Sequence, residues 1–466
     1  MSASDNSPGG GPATADTAVF THGSTMRHVL VMTMMGSIGL VSVFAVDFLS
    51  LLYVSWLRDP RLVAGVGYAT QVLFSMTSIS IGLAIGVTAL VARATGAGRD
   101  ARTLAGACLV HVFLFSGAVA IAALVFRAPF LRALGASGEA FDVADRFLLI
   151  SVPANPLLAL GMSLSGVLRA HGDARRAMYV TLFGGIASAV LDPLLIFGLH
   201  LGVDGAAWST ALSRIAFAAT GFWGACRVHD LLAPPDARRV LRDAPPLLGI
   251  SGPAILTNLA APVGNSYAMH VFSQFGEATI AAFAMIDRIT PVAFGVLFAL
   301  TGSVGPIMGQ NFGAGLWPRV RRTLTDCLIV GVGYSLCIWL VLWFAGSHIA
   351  DVFGATGRTR EIVLFFCAMG AAVWLFLGCL FVANAAFNNL GFPLLATVFN
   401  WGRATLGTIP FVTLGARLYG PEGGYGGMIV GSAIFGMAAV ATAFLITSRM
   451  MRRTVIEVVS VQDPVS

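Results

Sequence analysis

Apolar runs of about 20 residues recur along the whole chain, each long enough to cross a hydrocarbon core of about 30 Å as a helix. Inside lipid every backbone donor and acceptor must be paired within the protein, so only helices and closed barrels span it. The runs are far longer than the roughly ten residues of a barrel strand and lack its alternation. They predict an all-α polytopic membrane protein. Composition agrees: 57% of residues are hydrophobic, 11% are charged, and the mean hydropathy is +0.83. A soluble domain carries roughly 25% charge.

Twelve transmembrane helices are expected, beginning near Val29, Ala64, Leu104, Ala144, Met178, Gly205, Leu248, Thr279, Leu324, Ile362, Leu394 and Gly426. Residues 1–26, rich in Gly, Ser, Ala and Thr, have no apolar core before Arg27. They read as a disordered cytoplasmic tail rather than a signal peptide. Residues 27–226 form an N-terminal six-helix lobe, 227–247 a basic linker with Pro pairs, 248–448 a C-terminal six-helix lobe, and 449–466 a second cytoplasmic tail.

All 28 basic residues are Arg. Seventeen flank one set of span ends, together with both termini, and eight flank the other. The positive-inside rule makes the Arg-rich side cytoplasmic in a bacterial-type inner membrane. Arg in short loops suits anionic lipid headgroups, and the net charge of +6 is no nucleic-acid footprint. The six cysteines fall in or beside apolar spans without a CxxC pair, so buried inert thiols are expected.

The chain repeats itself. VTALVARATGAGRDARTL matches VGPIMGQNFGAGLWPRVRRTL, which places Gly96 and Gly313 217 residues apart. A near-equal offset pairs LRAHGDARR with FNNLGFPLL, matching Gly172 with Gly391. Internal repeats of this size typify secondary transporters, whose site lies near mid-membrane at the repeat interface. Six spans per half is an even number, so the lobes relate by a pseudo-two-fold axis along the membrane normal.

Asp47 is the only charge between Arg27 and Arg58, and Asp192 the only one between Arg176 and Asp204. Asp47 lies eleven residues before the outer charge at Arg58 and Asp192 twelve before Asp204, so the two share a depth. A carboxylate near mid-membrane costs at least about 2.5 kcal/mol. In that setting it can exchange a proton, or hold Na⁺ with hydroxyl and carbonyl oxygens. Pro193 should bend or unwind its helix beside Asp192. Ser188, one turn before Asp192, and Thr210 on the next span are candidate further ligands. Gln71, Asn155, Asn258, Asn265 and Asp287 are candidate cavity residues, although interhelical hydrogen bonding is the commoner role for such groups. The repeat register sets Gly264 opposite Asp47 and Ile409 opposite Asp192, so the acids are not duplicated.

Enzyme motifs are absent: no GxSxG, no HExxH, and no Lys to complete a phosphate-binding loop. The chain is read as a non-enzyme with no cofactor.

VGPIMGQNFGAG with its Arg cluster, VLDPLLIFG followed by GVDGAAWST, GVLRAHGD, and Asp47 late in the first span resemble the multidrug and toxic compound extrusion transporters. The similarity runs from residue 27 to 453. It implies two six-helix lobes, a central cleft, alternating access, a monomer, and export of small organic cations or drugs in exchange for H⁺ or Na⁺. By position, Asp47 and Asp192 match the coupling acids of the DinF-like branch, and Thr210 matches a family hydroxyl. Ser188 stands where relatives often have Asn, which thins a Na⁺ site. The first span lacks the Pro that many members use as a kink. Rival expectations are a flippase for lipid-linked precursors, which would gather Arg214, Arg288 and Arg403 around one cleft, an exporter of one specific metabolite, and a non-transporting scaffold.

Overall fold

The computed structural model describes residues 18–55 and 60–462, without the side chains of Asp47, Phe48, Leu51, Ser55, Pro60 and 453–462. The first 17 residues of the expected tail, and Arg58, lie outside the described residues. All regular structure described is helical.

The N-terminal half holds α1 (Thr25–Ser55), α2 (Pro60–Gly96), α3 (Ala101–Val125), α4 (Arg127–Ala133), α5 (Gly138–Ser151), α6 (Asn155–His171), α7 (Ala174–Pro193) and α8 (Val203–Phe222). The C-terminal half holds α9 (Ala237–Ser273), α10 (Glu277–Gly313), α11 (Trp317–Val352), α12 (Gly357–Ala368), α13 (Val373–Leu390), α14 (Pro393–Gly402) and α15 (Ile409–Gln462). Ten stretches are long and apolar enough to cross a membrane. The last, Pro393–Arg452, breaks at Tyr419 and Gly420 and doubles back. Gly415 then faces the Gly423 carbonyl, and Gly427 the Phe411 carbonyl, at distances no side chain would permit. That stretch therefore makes two passes. With α8, which carries Asp204 and Arg214, the described residues make twelve.

Sequence dictates where the helices start and stop. Asp100, Asp173 and Asp236 each accept a hydrogen bond from the backbone N–H three residues on, capping α3, α7 and α9. Gly172 (φ +102°) ends α6 and Gly391 (φ +93°) ends α13, both in the left-handed region that glycine tolerates best. Those two glycines were matched by the repeat, so corresponding helices end by the same device.

The lobes meet along three seams near the Arg-rich end. On α1 and α10, Gly36 lies against Ala299, and the Thr33 hydroxyl donates to Ser303 Oγ at 3.1 Å. On α2 and α9, Gly82 lies against Ile255 and Gly86 against Ser251. Shifting Gly82 and Gly86 by 217 gives Ala299 and Ser303, so the first two seams are copies of each other. Where α2 crosses α10, Gly96 presses on the Gln310 carbonyl and Gly313 on the Arg93 carbonyl. These four residues are two repeat pairs, and their crossing is the pseudo-two-fold seen at atomic scale. Arg93 reinforces it, donating from Nε to the Asn389 carbonyl (2.9 Å) and from Nη2 to the Asn388 carbonyl (2.6 Å) in the last turn of α13. A cation at a helix C-terminus is favoured by the helix dipole.

The expectation of disorder through residue 26 fails from Ala18 onward. Val19–Thr21 forms a 3₁₀ turn that puts Phe20, 2% exposed, into the core of the C-terminal half. The Phe20 N–H donates to Gln310 Oε1 (2.8 Å), and Arg319 donates to the Phe20 and Gly23 carbonyls, each at 2.8 Å. Val19 meets Gly172 of the other half. One buried aromatic outweighs the polar composition around it. Phe20→Ala is expected to lower stability by about 3 kcal/mol, read as a reduced thermal midpoint of the purified protein.

Two further readings shift. Residues 237–247 of the expected linker are helical, because Asp236 caps α9 there. Cys226 and Cys337 are exposed rather than buried.

Asp173 also accepts from Arg176 Nη1 (2.5 Å) and contacts His229 Nε2 (2.7 Å). Burial alone would push its carboxyl up, but the Arg176 backbone N–H, the His229 ring and the Arg176 guanidinium outweigh this and hold it below the ordinary carboxylate range. A depressed folded value adds stability above the unfolded value of about 3.9 and loses it as pH falls through the folded one. Asp173→Asn should therefore flatten the acid limb of a thermal-midpoint profile against pH.

Candidate functional site

The site forms where α1, α7 and α8 converge in the N-terminal half. Asp192 is 1% exposed, on the last turn of α7. Pro193 follows and lacks a backbone donor, and Leu194–Gly198 widens into a π-helical turn, the interruption expected there. Ser50 Oγ of α1 donates to Asp192 Oδ2. Ser209 of α8, fully buried, lies beside Asp192, and its Oγ donates to the Ser188 carbonyl at 3.4 Å. Asp192 is therefore held by a hydroxyl from α1, with a second hydroxyl beside it on α8. Among the described residues it has no basic partner.

The Asp47 side chain lies outside the described residues. Its position on α1 is one turn from Ser50, on the same helix face. Ser188 contributes its carbonyl to Ser209 rather than a hydroxyl to Asp192. Thr210 donates to the Ala206 carbonyl of its own helix at 2.9 Å. Its neighbour Ser209, about 100° round the helix, faces Ser188 and Asp192 instead. Ser50 and Ser209 were not singled out from sequence. The available signal for Ser50 was its i+3 spacing from Asp47. Ser209 carried none, because its contact depends on the rotation of α8 against α7.

The other candidates divide by location. Gln71, Asn265 and Asp287 are exposed, on α2, α9 and α10 beyond the sealed seams. Asn258 is half-buried and donates to the Ala254 carbonyl (2.9 Å). Asn155 is buried at the start of α6, with Oδ1 lacking a partner. Asp287 and Arg288 are both exposed and form no ion pair with each other. Arg214 is buried in the N-terminal half and donates to the Ser151 carbonyl (2.9 Å), whereas Arg403 is buried in the C-terminal half at the start of its own π-helical turn. The three span arginines do not converge.

The architecture is shared with solved transporters. A single-residue mutant of the Vibrio cholerae MATE transporter VcmN superposes with a TM-score of 0.86 at 25% identity, covering 92% of this chain and 97% of that one. A MOP superfamily transporter from Pyrococcus furiosus superposes with a TM-score of 0.86 at 19% identity, covering 94% and 99%. Among sequences, the chain is 26% identical to a FAD transporter of Shewanella oneidensis, over 85% of this chain and 89% of that protein. It is 22% identical to the multidrug export protein MepA of Staphylococcus aureus, over 91% and 94%. The family model described as MatE matches residues 37–194 and 253–414, one segment in each half. The chain belongs to the MatE family, the multidrug and toxic compound extrusion transporters.

Proposed function

We propose that this protein is a secondary antiporter that exports small organic molecules, drugs among them, in exchange for H⁺ by alternating access, with Asp47 and Asp192 as the coupling acids. The observation that carries this reading is Asp192: buried, without a basic partner among the described residues, held by the Ser50 hydroxyl of α1 and lying beside Ser209 of α8. A proton or cation arriving there changes what α1, α7 and α8 share, and a ligand drives a conformational switch only through unequal affinity for the two states. H⁺ is favoured over Na⁺ because Ser188 stands where related transporters often carry Asn, which removes an amide oxygen from a Na⁺ cage. With the Arg-rich end cytoplasmic, both termini lie on the cytoplasmic side of the inner membrane and the sealed seams face the cytoplasm. The conformation is then outward-facing.

The test is efflux of a fluorescent organic cation from proteoliposomes with H⁺ and Na⁺ gradients imposed separately. Export driven only by the Na⁺ gradient would replace H⁺, and export driven by neither would end the antiporter reading. Export of one specific metabolite is the second reading, supported by the likeness to a FAD transporter across most of both chains. Competition between that dinucleotide and cationic dyes separates the two. The flippase reading loses support from the separation of Arg214 and Arg403 into opposite halves.

A further inference from the structure

At the Arg-poor end of the C-terminal half, a cavity of about 220 Å³ opens between α9 and the first limb of α15. Such a volume is smaller than a typical drug-binding pocket and suits a headgroup rather than a whole ligand. Its polar lining is Tyr267, His270, Gln274, Thr413 and Arg417, with no carboxylate.

The lining has a definite hydrogen-bonding state. Tyr267 Oη and Thr413 Oγ1 are 2.7 Å apart, and Thr413 Oγ1 donates to the Ile409 carbonyl at 2.6 Å. Thr413 has spent its only proton there, so Tyr267 donates to Thr413. The two hydroxyls form a closed wall with no free donor. The free donors are the Arg417 guanidinium, the His270 ring and the Gln274 amide.

Arg417 differs from its neighbours at that end of the molecule. Arg61 pairs with Glu139, Arg127 with Asp145, Arg146 with Asp204, Arg358 with Glu361 and Glu422, and Arg360 with Asp351. Arg132 lies over the Phe141 ring. Among the described residues Arg417 has none of these partners, and it opens on the cavity instead. Arginine's planar fork of donors matches a tetrahedral oxyanion.

The repeat register adds a second observation. Tyr267 lies 217 residues after Ser50 and Ile409, whose carbonyl accepts from Thr413, lies 217 after Asp192, so the wall stands beside the place in the C-terminal half that the Ser50–Asp192 pair occupies in the other. The acid is gone from that place, and the charge that appears beside it is positive.

We propose that this cavity binds a phosphate group, carried by a soluble phosphate monoester or by a lipid headgroup, through Arg417, His270 and Gln274. The site is separate from Asp192, and testing it requires no transport.

The test uses purified protein in phosphatidylcholine nanodiscs titrated with FMN and with riboflavin, which differ by one phosphate, alongside native mass spectrometry of retained phosphatidylglycerol. With a soluble ligand, FMN binds about tenfold more tightly than riboflavin, and Arg417→Gln removes that preference. With a headgroup ligand, the preference is absent and Arg417→Gln sheds phosphatidylglycerol instead. If Arg417→Gln alters neither, the proposal is overturned. His270→Gln read in parallel keeps the test decisive should Arg417→Gln fail to fold. Asp192→Asn protein should bind both probes as the unsubstituted protein does, so failure of the antiporter reading leaves this result standing.

Discussion

Asp192→Asn is expected to cut ion-driven export by roughly 5- to 150-fold, the span that coupling free energies of 1–3 kcal/mol allow. The substitution preserves shape and can still accept from Ser50, so the fold should survive. It removes the one property a coupling acid needs, a charge that comes and goes. Proteoliposomes loaded with a fluorescent cation should then empty at the same slow rate with and without a pH gradient, whereas the unsubstituted protein responds to the gradient. Ser50→Ala serves as the contrast. It deletes a ligand of the carboxylate but not the carboxylate, so export should remain gradient-dependent. Undiminished gradient-driven export in Asp192→Asn would remove Asp192 from the coupling role. Asp47→Asn, assayed alongside, tells whether the two acids act as one unit, because coupled residues give non-additive losses.

Sequence carried the architecture further than the site. Membrane helices follow from the length of apolar runs, and the pseudo-two-fold follows from matched glycines, because both are imposed by local rules that leave local marks. Gly172 and Gly391 had to be glycine to end α6 and α13 as they do. Asp192 was equally visible, since a mid-membrane acid is costly wherever it points. Its ligands were not. Ser188 and Thr210 were plausible by spacing, yet Ser50 makes the hydrogen bond and Ser209 lies beside it, because helix rotation is fixed by packing between helices that are distant in sequence. Phe20 illustrates the same limit. A single aromatic in a polar tail gives no periodic signal, and its burial is decided by a groove built from residues near 310.

Gly96→Ala should shift the equilibrium away from the conformer described here by about 1–3 kcal/mol, the usual cost of forcing a methyl group into a packed contact. That is a change of roughly 5- to 150-fold in the ratio of states. The missing Cβ of Gly96 points at the Gln310 carbonyl and that of Gly313 at the Arg93 carbonyl. Both obstacles are backbone, so no rotamer change makes room, and α2 must move from α10. Moving it also stretches the Arg93 bonds to Asn388 and Asn389. Helix propensity predicts no such shift, since α2 is helical in either conformer and Ala is favoured over Gly by roughly 0.5–1 kcal/mol in both. Gly67→Ala on the same helix, where an added Cβ meets nothing within 4 Å, isolates that propensity and should leave the lobes closed. The measurement is reactivity of Ser303→Cys, placed in the sealed seam, towards a thiol reagent applied from the Arg-rich side after the six native cysteines are replaced. Gly96→Ala should raise that reactivity and Gly67→Ala should not. Equal reactivity in the two would mean that the crossing of α2 and α10 is not what holds this end shut, leaving Arg93 and the Phe20 turn to hold it.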